Sequence, residues 1–150
     1  MGRGEAISLT AIPRKKGAQV GKIHDIHFRN IVGYAENSAR IDGQPESRIE
    51  NVTMENVSLN LDRWTQYPGP VYDNRPTSAI TDIEKHDTPA ICIRNADRVE
   101  LINCAVGWGK KCPDYFTYAL ETQSVTDLKM TRFSGKAAHP DRDPAIMKHP

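Results

Sequence analysis

Four groups of residues have the types and spacing to do chemistry. "HDIH" sets His24 and His27 three apart, a spacing that tempts a metal reading. On a strand, however, residues three apart point to opposite faces. His27 also lies between apolar Ile26 and Phe28 and is expected to face outward, so the two do not read as ligands of one ion. "EKHD", Glu84 to Asp87, gathers acids and bases on an irregular stretch; a solvated loop explains it as well as a catalytic role does. Arg14, Lys15 and Lys16 in "PRKKG" would meet the carboxylates of a uronic acid polymer, or form an ordinary solvated turn. Trp64, Tyr67 and Tyr72, then Trp108, Tyr115 and Phe116, sit on irregular segments. Flat aromatic faces pack on sugar rings, and loops on a rigid scaffold are where binding residues gather; the same side chains can instead pin long loops to the scaffold. Trp64 suits both readings, Phe116 the second.

Other signals are weaker. Cys92, Cys104 and Cys112 are an odd number without metal-type spacing. Cys92 and Cys104 read as small buried hydrophobes on strands, and no disulfide framework is expected. "NVT" at Asn51 and "NVS" at Asn56 match the glycosylation acceptor pattern. With Asn56 expected to face inward, both matches read as accidental. The 150 residues fit one domain. A net charge of +1 supplies no field that favours nucleic acid or acidic membranes. No apolar stretch approaches the ~20 residues that span a bilayer. "MGRGEAISL" has no long apolar run, so no secretory signal is read there.

What would position such groups is a repeat. "IHDIHFRNI" (23–31) and "RIENVTMENV" (48–57) align with Ile26 over Val52, Phe28 over Met54, Asn30 over Asn56 and Ile31 over Val57, a step of 26 residues. A third copy, "RVELINCAV", places Val99, Leu101, Asn103 and Cys104 on the template 47 residues later. In a fourth, Leu128, Met130 and Phe133 fit and Arg132 replaces the Asn, 29 residues further on. The long step is explained by residues 59–88, with three of the ten prolines and no repeat-like pattern; they read as a loop inserted into one repeat. A second series of short strands lies between the copies: 6–10, 38–43, 90–95, 118–123 and 145–148. Alternation rich in Val and Ile is the signature of half-buried strands, and no window sustains helical spacing. Periods of this size signal repeat architectures. Strands that recur without crossover helices predict an all-β chain, a parallel β-helix (β-solenoid) of about five coils with a long loop insertion. At the normal interstrand spacing, five coils stack to roughly 24 Å. Asn tolerates left-handed geometry at turns, so Asn30, Asn56 and Asn103 are expected to form a hydrogen-bonded ladder at one corner.

"GRGEAISLTAIPRKKGAQVGKIHDIHFRNI", followed by "RIENVTMENVSLNL" and "YPGPVYDNRP", resembles the C-terminal coils of polygalacturonase-like glycoside hydrolases, family 28, in their bacterial branch. The resemblance covers nearly the whole chain. It implies a right-handed parallel β-helix and a parent enzyme that hydrolyses α-linked galacturonate bonds in pectin with inversion. Inverting chemistry needs carboxylates spaced to leave room for a water. The family's Asn-Thr-Asp, Asp-Asp and Gly-His-Gly segments are absent from this sequence. Its later Arg-x-Lys pair, which grips the substrate carboxylate, aligns with "SLT", so Ser8 and Thr10 stand where two cations would be. Hydroxyls cannot supply that charge-assisted contact.

The expectation is therefore the C-terminal part of such an enzyme, without its acid and base, with no catalytic residue, metal or cofactor assigned. Arg3, Glu5, Arg14, Lys15, Trp64 and Tyr72 are the candidate substrate-binding residues, and a pectin-like polysaccharide is the partner of the parent. Exposed strand edges at the end of the solenoid invite pairing with another chain, so self-association or marginal stability is expected. The parent would be periplasmic or secreted. A non-catalytic carbohydrate-binding or structural β-helix, and a polysaccharide lyase, are the competing classes.

Overall fold

The computed structural model describes residues 4–74, 77–79 and 83–150. These form ten strands: β1 (Ser8–Thr10), β2 (Ile23–Ala35), β3 (Ala39–Asp42), β4 (Ile49–Leu61), β5 (Val71–Tyr72), β6 (Glu84–Lys85), β7 (Ile91–Ile102), β8 (Ala105–Trp108), β9 (Leu120–Thr131) and β10 (Ile146–His149). No helix occurs among the described residues, and none is therefore long and apolar enough to cross a membrane. The described residues are all-β and their main sheet is parallel; of the ten strands only β5 and β6 pair antiparallel.

Equivalent residues of successive repeats pair directly. One ladder runs β1, β3, the first part of β7, the first part of β9, and β10. Its rungs include Ser8, Arg40, Cys92, Glu121 and Met147, then Thr10, Asp42, Arg94, Gln123 and His149. A second ladder aligns Ile26, Val52, Val99 and Leu128, and then Phe28, Met54, Leu101 and Met130. A third pairs Gly33, Leu59 and Val106, and then Ala35, Leu61 and Trp108. The apolar alignments read from the sequence are thus hydrogen-bonded rungs. Val52, Met54, Val99 and Leu101 are fully buried, whereas Ile26 and Phe28 on the edge strand β2 and Leu128 and Met130 on β9 are only partly covered. Full burial of such side chains stabilises by about 1.5–3 kcal/mol each, so the middle rungs contribute most.

Long strands turn from one ladder to the next through single left-handed residues. Asp25 and Asn30, Asn51 and Asn56, Arg98 and Asn103, and Asp127 and Arg132 all have φ between 52° and 58°. Asn and Asp visit this region more readily than other side chains. The expected amide ladder exists: Asn103 Nδ2 donates to Asn56 Oδ1 at 2.8 Å, and Asn56 Nδ2 donates to Asn30 Oδ1 at 3.0 Å. Its direction is corrected, because left-handed backbone swings these side chains out of the core and Asn56 is exposed. A second ladder was not anticipated. Asn51 Nδ2 donates to Asp25 Oδ1 at 2.9 Å, and Arg98 Nε donates to Asn51 Oδ1 at 2.5 Å.

The corner at Asp25 also corrects the histidine argument. Alternation is reset there, so both His24 and His27 are exposed. They are held apart by different acids: His24 Nδ1 lies 2.6 Å from Asp25, and His27 Nε2 lies 3.2 Å from Glu55. The insertion starts later than its composition suggests. Leu59 and Leu61 are buried residues of β4, and the irregular stretch begins at Asp62.

Candidate functional site: a buried polar cluster beneath the insertion

The first ladder presents polar side chains on its outer face, and the insertion folds back over them. Its base is fixed by two carboxylates. Glu36 accepts from the Trp64 and Thr65 amides at 2.7 and 2.6 Å and from the Thr65 hydroxyl at 2.8 Å. Burial would raise the Glu36 pKa, but these donors together hold it below the ordinary carboxylate value. Asp62 accepts from the Arg63 and Lys111 amides, both at 2.8 Å. Further along, Asn37 Nδ2 donates to the Val71 carbonyl at 2.8 Å, which delivers Tyr72 into the cluster.

Tyr72 is fully buried. Ser38 donates its one hydroxyl proton to the Pro89 carbonyl at 2.5 Å, so the Tyr72 hydroxyl, 2.9 Å away, donates to Ser38 Oγ. Burial pushes the Tyr72 phenol well above its usual pKa. The Arg40 guanidinium lies 4.6 Å from the Tyr72 ring centre and that of Arg94 5.6 Å, within cation–π range. The His86 ring stacks on Tyr72 at 4.8 Å and 17°.

The two arginines are neutralised in place. Arg94 forks between Asp42 and Glu84: Nε and Nη2 donate to Asp42 at 3.1 and 2.6 Å, Nη2 donates to Glu84 Oε2 at 3.0 Å, and Nη1 donates to Glu84 Oε1. Burial works against both charges, yet these bonds raise the Arg94 pKa and lower that of Glu84. Arg40, 1% exposed, donates from Nη1 to Asn74 Oδ1 at 2.8 Å and pairs with Glu5 at 3.2 Å and Asp42 at 3.7 Å. Glu84, held below its ordinary pKa by Arg94, stays ionised and is not free to deliver a proton to a leaving group.

One subset of the cluster is not bound by arginine. His86, Cys92 and Glu121 bring one donor atom each within 4.8 Å of one another. They come from the end of the insertion, from β7 and from β9. Among the described residues, these are the ones placed to hold a metal ion. Burial pushes the Cys92 thiol up to about 12, so it is no nucleophile as it stands.

The expected substrate-binding residues are dispersed. Glu5 and Tyr72 meet around Arg40. Tyr72 is corrected: a ring with no exposed surface offers no platform to a sugar, and its role is to carry the insertion onto the ladder. Trp64 is 55% exposed and Tyr67 45% exposed, so Trp64 presents its face to solvent while its backbone is anchored. Arg14 and Lys15 sit exposed on the turn between β1 and β2. Arg3 lies outside the described residues. Phe116 is buried between Trp108 and Tyr115, with ring centres 5.5 and 5.4 Å away. The acids and bases of "EKHD" divide: Glu84 and His86 enter the cluster, whereas Asp87 is exposed.

The residues the sequence reading missed are Arg40, Asp42, Cys92, Arg94 and Glu121. Their signal was present in "ARID", "CIRN" and "LETQ", where polar side chains recur at alternate positions of stacked strands. Comparison of the chain with protein-family models, with curated proteins and with solved structures finds no match.

Proposed function

We propose that the three ladders are the faces of a right-handed parallel β-helix, and that this chain forms C-terminal coils of a polygalacturonase-like glycoside hydrolase acting on pectin-type polysaccharide by inverting hydrolysis. The observation that carries the reading is the in-register parallel pairing of Ile26, Val52, Val99 and Leu128, which is what one coil per repeat requires. An insertion folded over one face, with Trp64 and Tyr67 exposed on it, suits a cleft wall that stacks on sugar rings. The chain alone is catalytically incomplete. Asp42 and Glu84 are both committed to Arg94, and in the alignment that the resemblance implies Ser8 and Thr10 stand where the family has its uronate-gripping cations. The edge strand β2 keeps Ile26, Phe28 and Ile31 partly uncovered, a surface for a neighbouring coil or for self-association.

The test combines oligogalacturonide binding with release of reducing ends. Saturable binding that quenches tryptophan fluorescence, is lost in Trp64→Ala and releases no reducing ends is expected. Absence of binding would overturn the carbohydrate reading; hydrolysis by the chain alone would overturn its incompleteness. The arginine-saturated acids also favour a second reading, a non-catalytic carbohydrate-binding β-helix. It would be preferred if binding persisted unchanged when upstream coils were supplied and no activity appeared.

A further inference from the structure

We propose that His86, Cys92 and Glu121 form a binding site for a zinc-class divalent transition metal that clamps the insertion to the ladder. In tetrahedral coordination with bonds of about 2.0 Å to nitrogen or oxygen and 2.3 Å to sulfur, neighbouring donors lie about 3.3–3.8 Å apart. His86 Nε2 and Glu121 Oε1 are 3.7 Å apart, too far for a good hydrogen bond and at the separation of two ligands on one ion. The Cys92 donor lies within 4.8 Å of both, so a shift of about 1 Å would bring it to ligand separation.

The histidine is oriented for ligation. Its Nδ1 contacts the Asp87 carbonyl, and a carbonyl can only accept. Nδ1 therefore carries the proton, and in the neutral ring Nε2 presents its lone pair towards Glu121. A metal-bound histidine held through its other nitrogen is the usual outer arrangement, and stacking on Tyr72 fixes the plane of the ring. His149 Nε2, 3.1 Å from the same Glu121 oxygen, acts as a positioning residue on the carboxylate.

The charges and donor types agree. A thiolate and a carboxylate offset a dication, so the occupied site is neutral, which matters where burial penalises net charge. Binding displaces the thiol proton to solvent. One sulfur, one imidazole and one carboxylate suit zinc, whereas calcium and magnesium take oxygen ligands. Three protein donors leave a fourth position for water. The other carboxylates are engaged elsewhere, Asp42 and Glu84 by Arg94, Glu5 by Arg40, and Glu36 and Asp62 by backbone amides of the insertion and of Lys111.

The experiment titrates the tag-free full chain with cobalt(II), with zinc as competitor. Expected are one ion per chain, a thiolate-to-cobalt charge-transfer band, and displacement by zinc. Cys92→Ser should abolish the band, and Glu121→Gln should weaken binding at least tenfold while keeping it. His24→Asn with His27→Asn should change nothing. A wild-type complex without the band, or the same band in Cys92→Ser, would overturn the proposal. X-ray absorption on the zinc-loaded wild type needs no variant to fold: one sulfur at about 2.3 Å beside nitrogen and oxygen neighbours supports the site, and a shell without sulfur sinks it.

Discussion

The corner ladders and the cluster beneath the insertion are both stacks of polar side chains, but they are built on opposite principles. Asn30, Asn56 and Asn103 repeat one residue type, lie exposed, and pair their side-chain amides with the equivalent residue of the next repeat. Arg40, Asp42, Tyr72, Glu84 and Arg94 mix cations, acids and a phenol, lie largely covered, and bond across sequence separations of 10 to 52 residues. Each amide in the ladder can be lost at modest cost, because water replaces its partner. No member of the cluster can be lost so cheaply, because its partner stays behind in a site where charge is poorly solvated.

The largest expected effect of breaking this contrast is Arg94→Leu. It leaves Asp42 and Glu84 covered without their shared cation, and a loss of about 3–5 kcal/mol is expected, read from the urea unfolding midpoint. A loss below that of the ladder variants would dissolve the distinction. Next is the apolar column. Leu101→Ala, at a fully buried middle rung, should cost about 2–5 kcal/mol, and Leu128→Ala, at a partly covered one, clearly less. Equal losses would mean that the outer repeats are covered in solution, as pairing with a second copy would do.

Glu36→Gln should cost about 1–2 kcal/mol by weakening charge-assisted bonds to the Trp64 and Thr65 amides. The sign with pH follows from its lowered pKa. The stabilisation is present above the unfolded value of about 4.3 and is lost as pH falls through the lower folded value. Acid unfolding of Glu36→Gln should therefore be flatter below about pH 4.3 than that of the wild type. Asn56→Ala should have a comparable effect, about 1–2 kcal/mol, through the left-handed backbone and the lost amide bonds. Asn56→Gly should recover the backbone part alone. If Gly were no better than Ala, the left-handed corner would not be what Asn56 supplies.

The same contrast explains how much was legible beforehand. The column of Ile26, Val52, Val99 and Leu128 and the Asn ladder could be read because stacking like on like writes the contact into the sequence as a period. The cluster was legible only on its ladder side, in the alternating polar residues of "ARID", "CIRN" and "LETQ", since Tyr72 and His86 arrive on a loop whose path obeys no period. The inward placement of Asn56 and the opposite faces of His24 and His27 failed for one reason. Strict alternation was carried through left-handed corners at Asn56 and Asp25 that reset it. Tyr72 looked like a binding aromatic because its loop looked open, whereas Asn37 and Ser38 draw that loop onto the ladder.

The in-register stacking on which everything rests can be tested by a disulfide. Thr53 and Glu100 are paired neighbours on β4 and β7, 47 residues apart in sequence, and adjacent strands bring such residues within disulfide reach. In a Cys112→Ser background, Thr53→Cys with Glu100→Cys should oxidise readily to an intramolecular bond, identified by peptide mapping, without loss of stability. The offset pair Thr53→Cys with Arg98→Cys should stay reduced under the same conditions. A reduced on-register pair beside an oxidised offset pair would contradict the stacking, and with it the proposed coil, cleft wall and metal clamp.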